Sequence, residues 1–491
     1  MPDLKLLGDE PTIEEREAID TAIASLHQHG TTGIHKKRHL LLPALQAAQE
    51  RVGWISEGAF NHICKTLEVP PADAYGTATF YALLAVEPRA KRVLHVCEDV
   101  ACMPRGSGAL IAELERTVGP AAHHGPEGSH VEIADSDAVW LKSPCLGLCD
   151  HAPAAFLQVA GEKPIEHLFG DVTMDTIRAA LGGALDIARV ARPKIPQAGQ
   201  PHLRLLQRVD VVDPTSLDDY RAHGGYAALR RATEIGPAGV VREVTDSKLM
   251  GRGGAAFPTG RKWEAVAKQT VRPHYIICNA DESEPGTFKD RSIMEGDPFS
   301  LVESMTIAAY ATGCEFGYIY LRGEYPLAHE RLTNAMAKAR ARGLLGNDIL
   351  GTGFNFDMEI RKGGGAYICG EETSIFNSIE GFRGEPRNKP PFPVESGVFH
   401  RPTLINNVET LVNVLAIVTE GGPAFAKTGT EASTGPKLFC LSGCVERPGV
   451  YEVPFGATLR ELIDLAGGVA DGKKLGSILL GGASGLFIGP E

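Results

Sequence analysis

Met250-Gly-Arg-Gly-Gly-Ala-Ala-Phe-Pro-Thr-Gly-Arg-Lys-Trp263 is the most telling stretch of this 491-residue chain. Glycines at 251, 253 and 254 let a backbone approach a phosphate closely. A helix opening after them would offer free N–H groups at its positive dipole end. Gly251, Gly253 and Ala256 satisfy the spacing G-x-G-x-x-A. The stretch before it, Val244 to Leu249, does not read as a buried strand, and no acidic residue follows at the expected distance on a second strand. An ordinary dinucleotide fingerprint is therefore excluded. Alone, the stretch reads equally well as a glycine turn.

On either side of this loop, residues 203–430 alternate helical and short strand patterns, which predicts an α/β core. Asp281-Glu-Ser-Glu284 concentrates carboxylates, with Lys262, Lys289 and Arg291 as cations to offset them; by itself it reads as a solvated acidic turn. From Gly435, the strands Lys437–Ser442 and Gly449–Val453 and the helix Thr458–Ala466 read as the start of a β-grasp unit. Upstream, the Pro-rich stretch 191–202 reads as a linker. Residues 89–190 predict strands at Arg92–Cys97 and Val139–Lys142, and helices at Gly108–Thr117 and Met174–Val190. Residues 10–88 read as a helical bundle. Thr12-Ile-Glu-Glu15 is a capping box, Leu40–Val52 and Gly58–Leu67 are amphipathic, and Pro70-Pro71 is a stop. The domain scheme is 1–88, 89–190, linker 191–202, 203–434 and 435–491.

Ten cysteines in a chain without a secretion signal are expected as thiols or metal ligands. Cys97-x4-Cys102 and Cys145-x3-Cys149 bring four thiolates from two loops that leave strands. Four thiolates suit Zn²⁺ or an Fe–S cluster, and unoccupied thiols are the third reading. Structural zinc usually has two-residue spacers, whereas wider pairs can each straddle one iron of a two-iron rhomb. Cys64, Cys278 and Cys369 read as packing thiols. Cys440 and Cys444 flank a turn, where metal binding is the weaker reading.

The formal net charge of −12 argues against a nucleic-acid binder and against docking on anionic lipid. No uninterrupted apolar run of about 18 residues occurs, so no transmembrane helix is expected. Met1 to Gly30 carries no apolar leader segment. A cytoplasmic location is the expectation.

Two resemblances sharpen this reading. Residues 10–165, through "VCEDVAC" and "SPCLGLCDHAP", resemble the thioredoxin-like ferredoxin subunit of the complex I NADH module. Residues 203–430 resemble the flavin subunit of the same module. There, "GRGGAAFPTGRKW", "CNADESEPGTFKDR", "GGGAYICGEETSIFNSIEG", "KPPFPVESG" and "PTLINNVETL" occur in order. The resemblance implies an α/β multidomain chain. It has an N-terminal helical bundle, a thioredoxin-like [2Fe–2S] domain, a Rossmann-like FMN/NADH domain and a partial, SLBB-like β-grasp domain.

Carried over by motif, Cys97, Cys102, Cys145 and Cys149 would hold the [2Fe–2S] cluster. Gly251, Gly253, Gly254 and Lys262 would line the FMN phosphate and ribityl chain. Asn279, Asp281 and Glu282 would contact the flavin, with Gly370, Glu371, Asn406 and Asn407 completing the pocket. Phe257 and Phe392 would sandwich the adenine of NADH, and Glu284 and Glu372 would position its ribose or nicotinamide. Ala256 stands where the motif usually has glycine. Hydride transfer between cofactors needs no proton-abstracting side chain. The family's flavin subunits continue into a bundle whose C-x-x-C-x-x-C run holds a [4Fe–4S] cluster; no such run occurs here, and the abrupt ending reads as a fragment.

Fusion of the two modules resembles the diaphorase (beta) subunits of NAD-dependent molybdenum or tungsten formate dehydrogenases, and "YIYLRGEYP" and "YRAHGGYAAL" fit that group. The expected partner is then the formate dehydrogenase catalytic subunit. A NAD-reducing hydrogenase subunit comes second and complex I third. An electron-carrying scaffold without flavin is the alternative of another class.

Overall fold

The computed structural model describes residues 9–26, 37–122, 138–188 and 190–490. The parts of the expected helical bundle at 1–8 and 27–36 lie outside them. The N-terminal elements are α1 (Ile13–Ser25), α2 (Leu41–Val52), α3 (Glu57–Leu67) and α4 (Pro71–Ala78). The capping box forms: Thr12 N–H donates to Glu15 at 2.8 Å and Glu15 N–H to the Thr12 hydroxyl at 3.2 Å. Pro70-Pro71 ends one helix but also begins another. Pro71 takes the first-turn position of α4, where its missing N–H has no partner to lose.

The next domain contains β1 (Arg92–Cys97), α5 (Ser107–Thr117), β2 (Ala138–Ser143), β3 (Ala154–Val159), β4 (Ile165–Gly170) and α6 (Met174–Leu181). Its sheet runs β2-β1-β3-β4, with β1 parallel to β2 and antiparallel to β3. The helix expected over Met174–Val190 stops at Leu181. Gly182-Gly183 ends it, Gly183 having φ +79°, a conformation that breaks helical hydrogen bonding. Residues 191–202 are pinned rather than loose. Lys194 N–H donates to Asp150 at 3.0 Å, and Gln197 exchanges hydrogen bonds with the backbone of Glu452 at 3.2 and 2.7 Å.

The central domain contains α7 (Leu217–Ala222), α8 (Ala227–Asp246), α9 (Thr259–Ala267), β5 (Tyr275–Ala280), α10 (Lys289–Gly296), α11 (Pro298–Thr312), β6 (Phe316–Leu321), α12 (Pro326–Ala341), β7 (Asp357–Lys362), α13 (Glu372–Ile379), β8 (Thr403–Asn407), α14 (Val408–Glu420) and α15 (Gly422–Phe425). Its sheet, ordered β7-β6-β5-β8, is wholly parallel. Parallel strands need cover on both faces. Ile276 and Cys278 pack with α8, α11 and α14 on one side. Tyr275, Ile277, Tyr318 and Tyr320 face α13 on the other, where Leu42 and Tyr81 from the N-terminal bundle complete the cover. Tyr81 donates to Ser378 at 2.7 Å, and Leu83 N–H to Gly364 at 2.9 Å. The last elements are β9 (Pro436–Leu441), antiparallel to β10 (Gly449–Pro454), then α16 (Leu459–Leu465), β11 (Ile478–Leu480) and β12 (Leu486–Ile488).

Candidate flavin and iron-sulfur sites

The glycine loop leaves α8 and enters α9, beside the carboxyl ends of β5 and β8. Open α/β sheets place their ligands at that edge. Gly253 lies against Asn407: a Cβ there would sit 3.0 Å from the Asn407 Cβ. Gly254, with φ +109°, has nothing within 4 Å of its Cβ position, so its surface is clear for a ligand. Ala256, standing where the motif usually has glycine, is held at φ +49°. That conformation is disfavoured for any residue with a Cβ. Arg252 anchors the loop from behind: its guanidinium donates to Met250 and Pro436 carbonyls at 3.0 and 3.2 Å, and lies over Phe455.

Asn279 donates to the Gly370 carbonyl at 2.8 Å, which joins the end of β5 to the turn before α13. Asn407 donates to Asp290 at 2.6 Å and caps α14. Lys262 donates to the Ile405 carbonyl at 3.1 Å, stands 5.7 Å from the Phe257 ring centre and pairs with Glu372 at 3.5 Å. Lys389 closes the chain, meeting Glu372 at 2.7 Å and Glu371 at 3.0 Å. Glu371 also caps α13 through the Thr373 and Ser374 N–H groups. Phe392 follows three residues after Lys389. Phe257 and Phe392 are 48% and 52% exposed, an unusual state for phenylalanine. Glu284 accepts from the Tyr367 hydroxyl, and from Ser484 N–H at 3.1 Å in the turn between β11 and β12.

Two expected pocket side chains are engaged elsewhere. The Glu282 carboxylate is buried and accepts the N–H groups of Asp290 and Arg291 at 2.8 and 3.0 Å, capping α10. The Asn406 side chain is buried too, its oxygen accepting from the Trp263 indole at 2.9 Å. The expected offset of Asp281–Glu284 by Lys262, Lys289 and Arg291 also needs correction. Lys262 pairs with Glu372, and Arg291 pairs with Asp150 and Glu295. Burial pushes the Asp281 carboxyl up to about 7, and the cation that opposes this is Arg322. Lys289 does act on Glu282, but it pairs directly with Asp290 and Glu409.

The thiols form two pairs. Cys145 and Cys149 sulfurs lie 3.4 Å apart, and Cys97 and Cys102 leave the end of β1 together. All four are buried. All four belong to one buried cluster of the core, so the pairs share one region. Among the described residues, no three ligating side chains converge on a single ion. A donor set divided two and two fits a two-iron cluster better than one tetrahedral zinc. Asp99 ties the loops together, accepting Cys145 N–H at 2.9 Å. The hydrogen bond with Cys149 foremost, and then Arg322 and the N–H groups of Gly286 and Gly147, hold the Cys145 thiol below its usual range against burial.

The comparisons agree with this geometry. The family described as "Nuo51 FMN-binding domain" matches residues 244–416, "Thioredoxin-like [2Fe-2S] ferredoxin" matches 26–183 and "SLBB domain" matches 438–484. A NADH-quinone oxidoreductase subunit of Rhizobium meliloti is 53% identical over 289 residues, 58% of this chain and 68% of that one. The alpha subunit of the NAD-reducing hydrogenase HoxS of Cupriavidus necator is 36% identical over 444 residues, 88% of this chain and 70% of its own. This chain belongs to that family of NADH-module flavin subunits. A crystal structure of an air-oxidised NAD⁺-reducing [NiFe]-hydrogenase superposes with a TM-score of 0.75 at 30% identity, covering 92% of this chain and 73% of that one. Each of these relatives is longer than the part matched.

Membership brings the cofactors FMN, NAD(H) and [2Fe–2S], and makes the chain a diaphorase-type oxidoreductase subunit. No helix among the described residues is long and apolar enough to cross a membrane. Asp99, Arg322, Tyr325, Tyr367 and Lys389 escaped the sequence reading of the sites, and Arg291 was read only as a cation offsetting Asp281–Glu284. All of them sit inside quoted motifs: Asp99 in "VCEDVAC", Arg291 in "CNADESEPGTFKDR", Arg322 and Tyr325 in "YIYLRGEYP", Tyr367 in "GGGAYICGEETSIFNSIEG" and Lys389 in "KPPFPVESG".

Proposed function

We propose that this chain exchanges electrons between NAD(H) and the [2Fe–2S] cluster on Cys97, Cys102, Cys145 and Cys149, through FMN seated on the loop 251–254. The observation that carries this is the ionic chain Lys262–Glu372–Lys389–Glu371, flanked by the exposed rings of Phe257 and Phe392 at the carboxyl edge of a parallel sheet. Exposed rings offer stacking faces to adenine. Lys262 and Lys389 supply positive charge for a pyrophosphate, and Glu372 and Glu284 supply acceptors for ribose hydroxyls or a nicotinamide amide. The open surface at Gly254, and Gly370 lying against Asp281 and held by Asn279, would line the flavin ring. Bound FMN takes up a hydride as an electron pair and releases electrons singly. The protein positions, and no side chain has to abstract a proton. Glu372→Gln and Phe392→Ala should each raise the apparent KM for NADH and leave iron and sulfide content unchanged. Unaltered kinetics in both would remove these residues from the site.

For the partner, the fused modules support the catalytic subunit of a molybdenum or tungsten formate dehydrogenase. The motifs first matched to that group serve the fold. Tyr220 and Tyr226 of "YRAHGGYAAL" are buried against Glu303, which accepts the Tyr220 hydroxyl at 2.6 Å and the Tyr226 N–H at 2.7 Å. Tyr318, Tyr320 and Tyr325 of "YIYLRGEYP" are buried as well. The hydrogenase alpha subunit, alignable over 88% of this chain, favours a hydrogenase partner as the second reading. Metal analysis of the complex purified from its source separates the two: molybdenum or tungsten supports the first, nickel the second.

A further inference from the structure

The loop Cys145–Asp150 carries half of the cluster thiols, yet the flavin domain holds it. Arg291, fully buried, donates to the Gly147 carbonyl at 3.0 Å and to Asp150 at 2.6 Å. Tyr325 fills the space beside Gly147. Arg322, 4% exposed, leaves the end of β6 and donates to the Cys145 carbonyl and, at 2.8 Å, to the Glu282 carbonyl. Its counter-ion Glu324 meets Nε at 3.2 Å. Glu282 lies on the same loop as Asp281 and Glu284, so Arg322 ties the loop beside the proposed flavin pocket to the cluster loop.

Reducing the cluster by one electron adds one negative charge, and no bond forms or breaks. A buried cation beside a ligand favours the more negative state, because charge interactions are strong where water is excluded. We propose that Arg322 is a positioning residue which raises the reduction potential of the [2Fe–2S] cluster and fixes Cys145 against the flavin loop. The potential is thus a property of the joined domains and not of the ferredoxin domain alone. This rests on the reading that the four cysteines hold the cluster.

The test is an anaerobic dithionite titration of the full chain followed by electron paramagnetic resonance, with iron and sulfide assayed on each preparation. Arg322→Met should lower the midpoint potential, and Arg322→Lys should restore it toward the parent value. Glu324→Gln removes the counter-ion and keeps the guanidinium, so it should raise the potential, and it answers the question even if Arg322→Met fails to fold. Intact clusters with unmoved potentials in the Lys, Met and Gln variants that fold overturn the inference alone. A parent chain that takes up no iron and sulfide on reconstitution overturns the cluster reading beneath it.

Discussion

Gly147→Ala probes the contact between the cluster loop and the flavin domain. Gly147 has φ +72°, and a Cβ on it would lie 2.1 Å from the Tyr325 hydroxyl oxygen and 2.6 and 2.7 Å from two ring carbons. Left-handed backbone costs an alanine about 1–2 kcal/mol. Forcing a methyl into a packed interior costs about 1–3 kcal/mol more. Tyr325 cannot swing aside freely. It is fully buried, its ring lies under the Arg322 guanidinium at 5.3 Å, and its hydroxyl approaches Glu282 at 3.3 Å. The sum, roughly 2–5 kcal/mol, should lower the melting temperature of the cluster-loaded chain by about 2–5 °C. Tyr325→Phe in the same background should recover only part of the loss, since the ring carbons stay in the way. An unchanged melting temperature and an unchanged visible spectrum in Gly147→Ala would refute this packing argument.

Other substitutions probe neighbouring contacts. Burial raises Glu295 to about 7 although Arg291 opposes it, so the unfolded chain binds fewer protons than the folded one between about pH 4.5 and 7 and stability falls as pH rises through that window. Glu295→Gln, which keeps an acceptor for Arg291, should therefore stabilise the chain at pH 8 by up to about 3 kcal/mol and have little effect at pH 4, as thermal unfolding at the two pH values would report. Glu282→Ala strips the acceptor from two N–H groups of α10 and should cost about 2–4 kcal/mol, measured by the same unfolding assay. Cys97→Ser and Cys145→Ser should each reduce the iron and sulfide retained through gel filtration, while flavin content stays near that of the parent.

Much of the fold was legible because its signals are local. The capping box at Thr12, the alternation through Arg92–Cys97 and the hairpin around Gly449 depend on residues near each other in sequence. The helix over Met174–Val190 was overextended because Gly182-Gly183 outweighs the apolar periodicity beyond it. The pocket was legible as a set of motifs, but the use of each side chain was not. Glu282 and Asn406 resemble pocket residues in sequence, yet their partners, the α10 backbone and Trp263, are set by tertiary packing. The clamp on the cluster loop was invisible for the same reason. Arg291 and Asp150 are 141 positions apart, and Arg322 and Cys145 are 177 apart. No periodicity connects such residues, and they meet only when the two domains dock.

On the proposed reading, electron exchange between NAD(H) and the cluster passes through the flavin pocket. Anaerobic titration of the FMN-reconstituted, cluster-loaded chain with NADH, followed by visible absorbance and low-temperature electron paramagnetic resonance, measures that passage. Bleaching of the flavin together with a reduced [2Fe–2S] signal, weakened at a given NADH concentration by Glu372→Gln, is the predicted result. A chain that binds flavin and cluster but stays oxidised under excess NADH, and in which dithionite still reduces both, would contradict it.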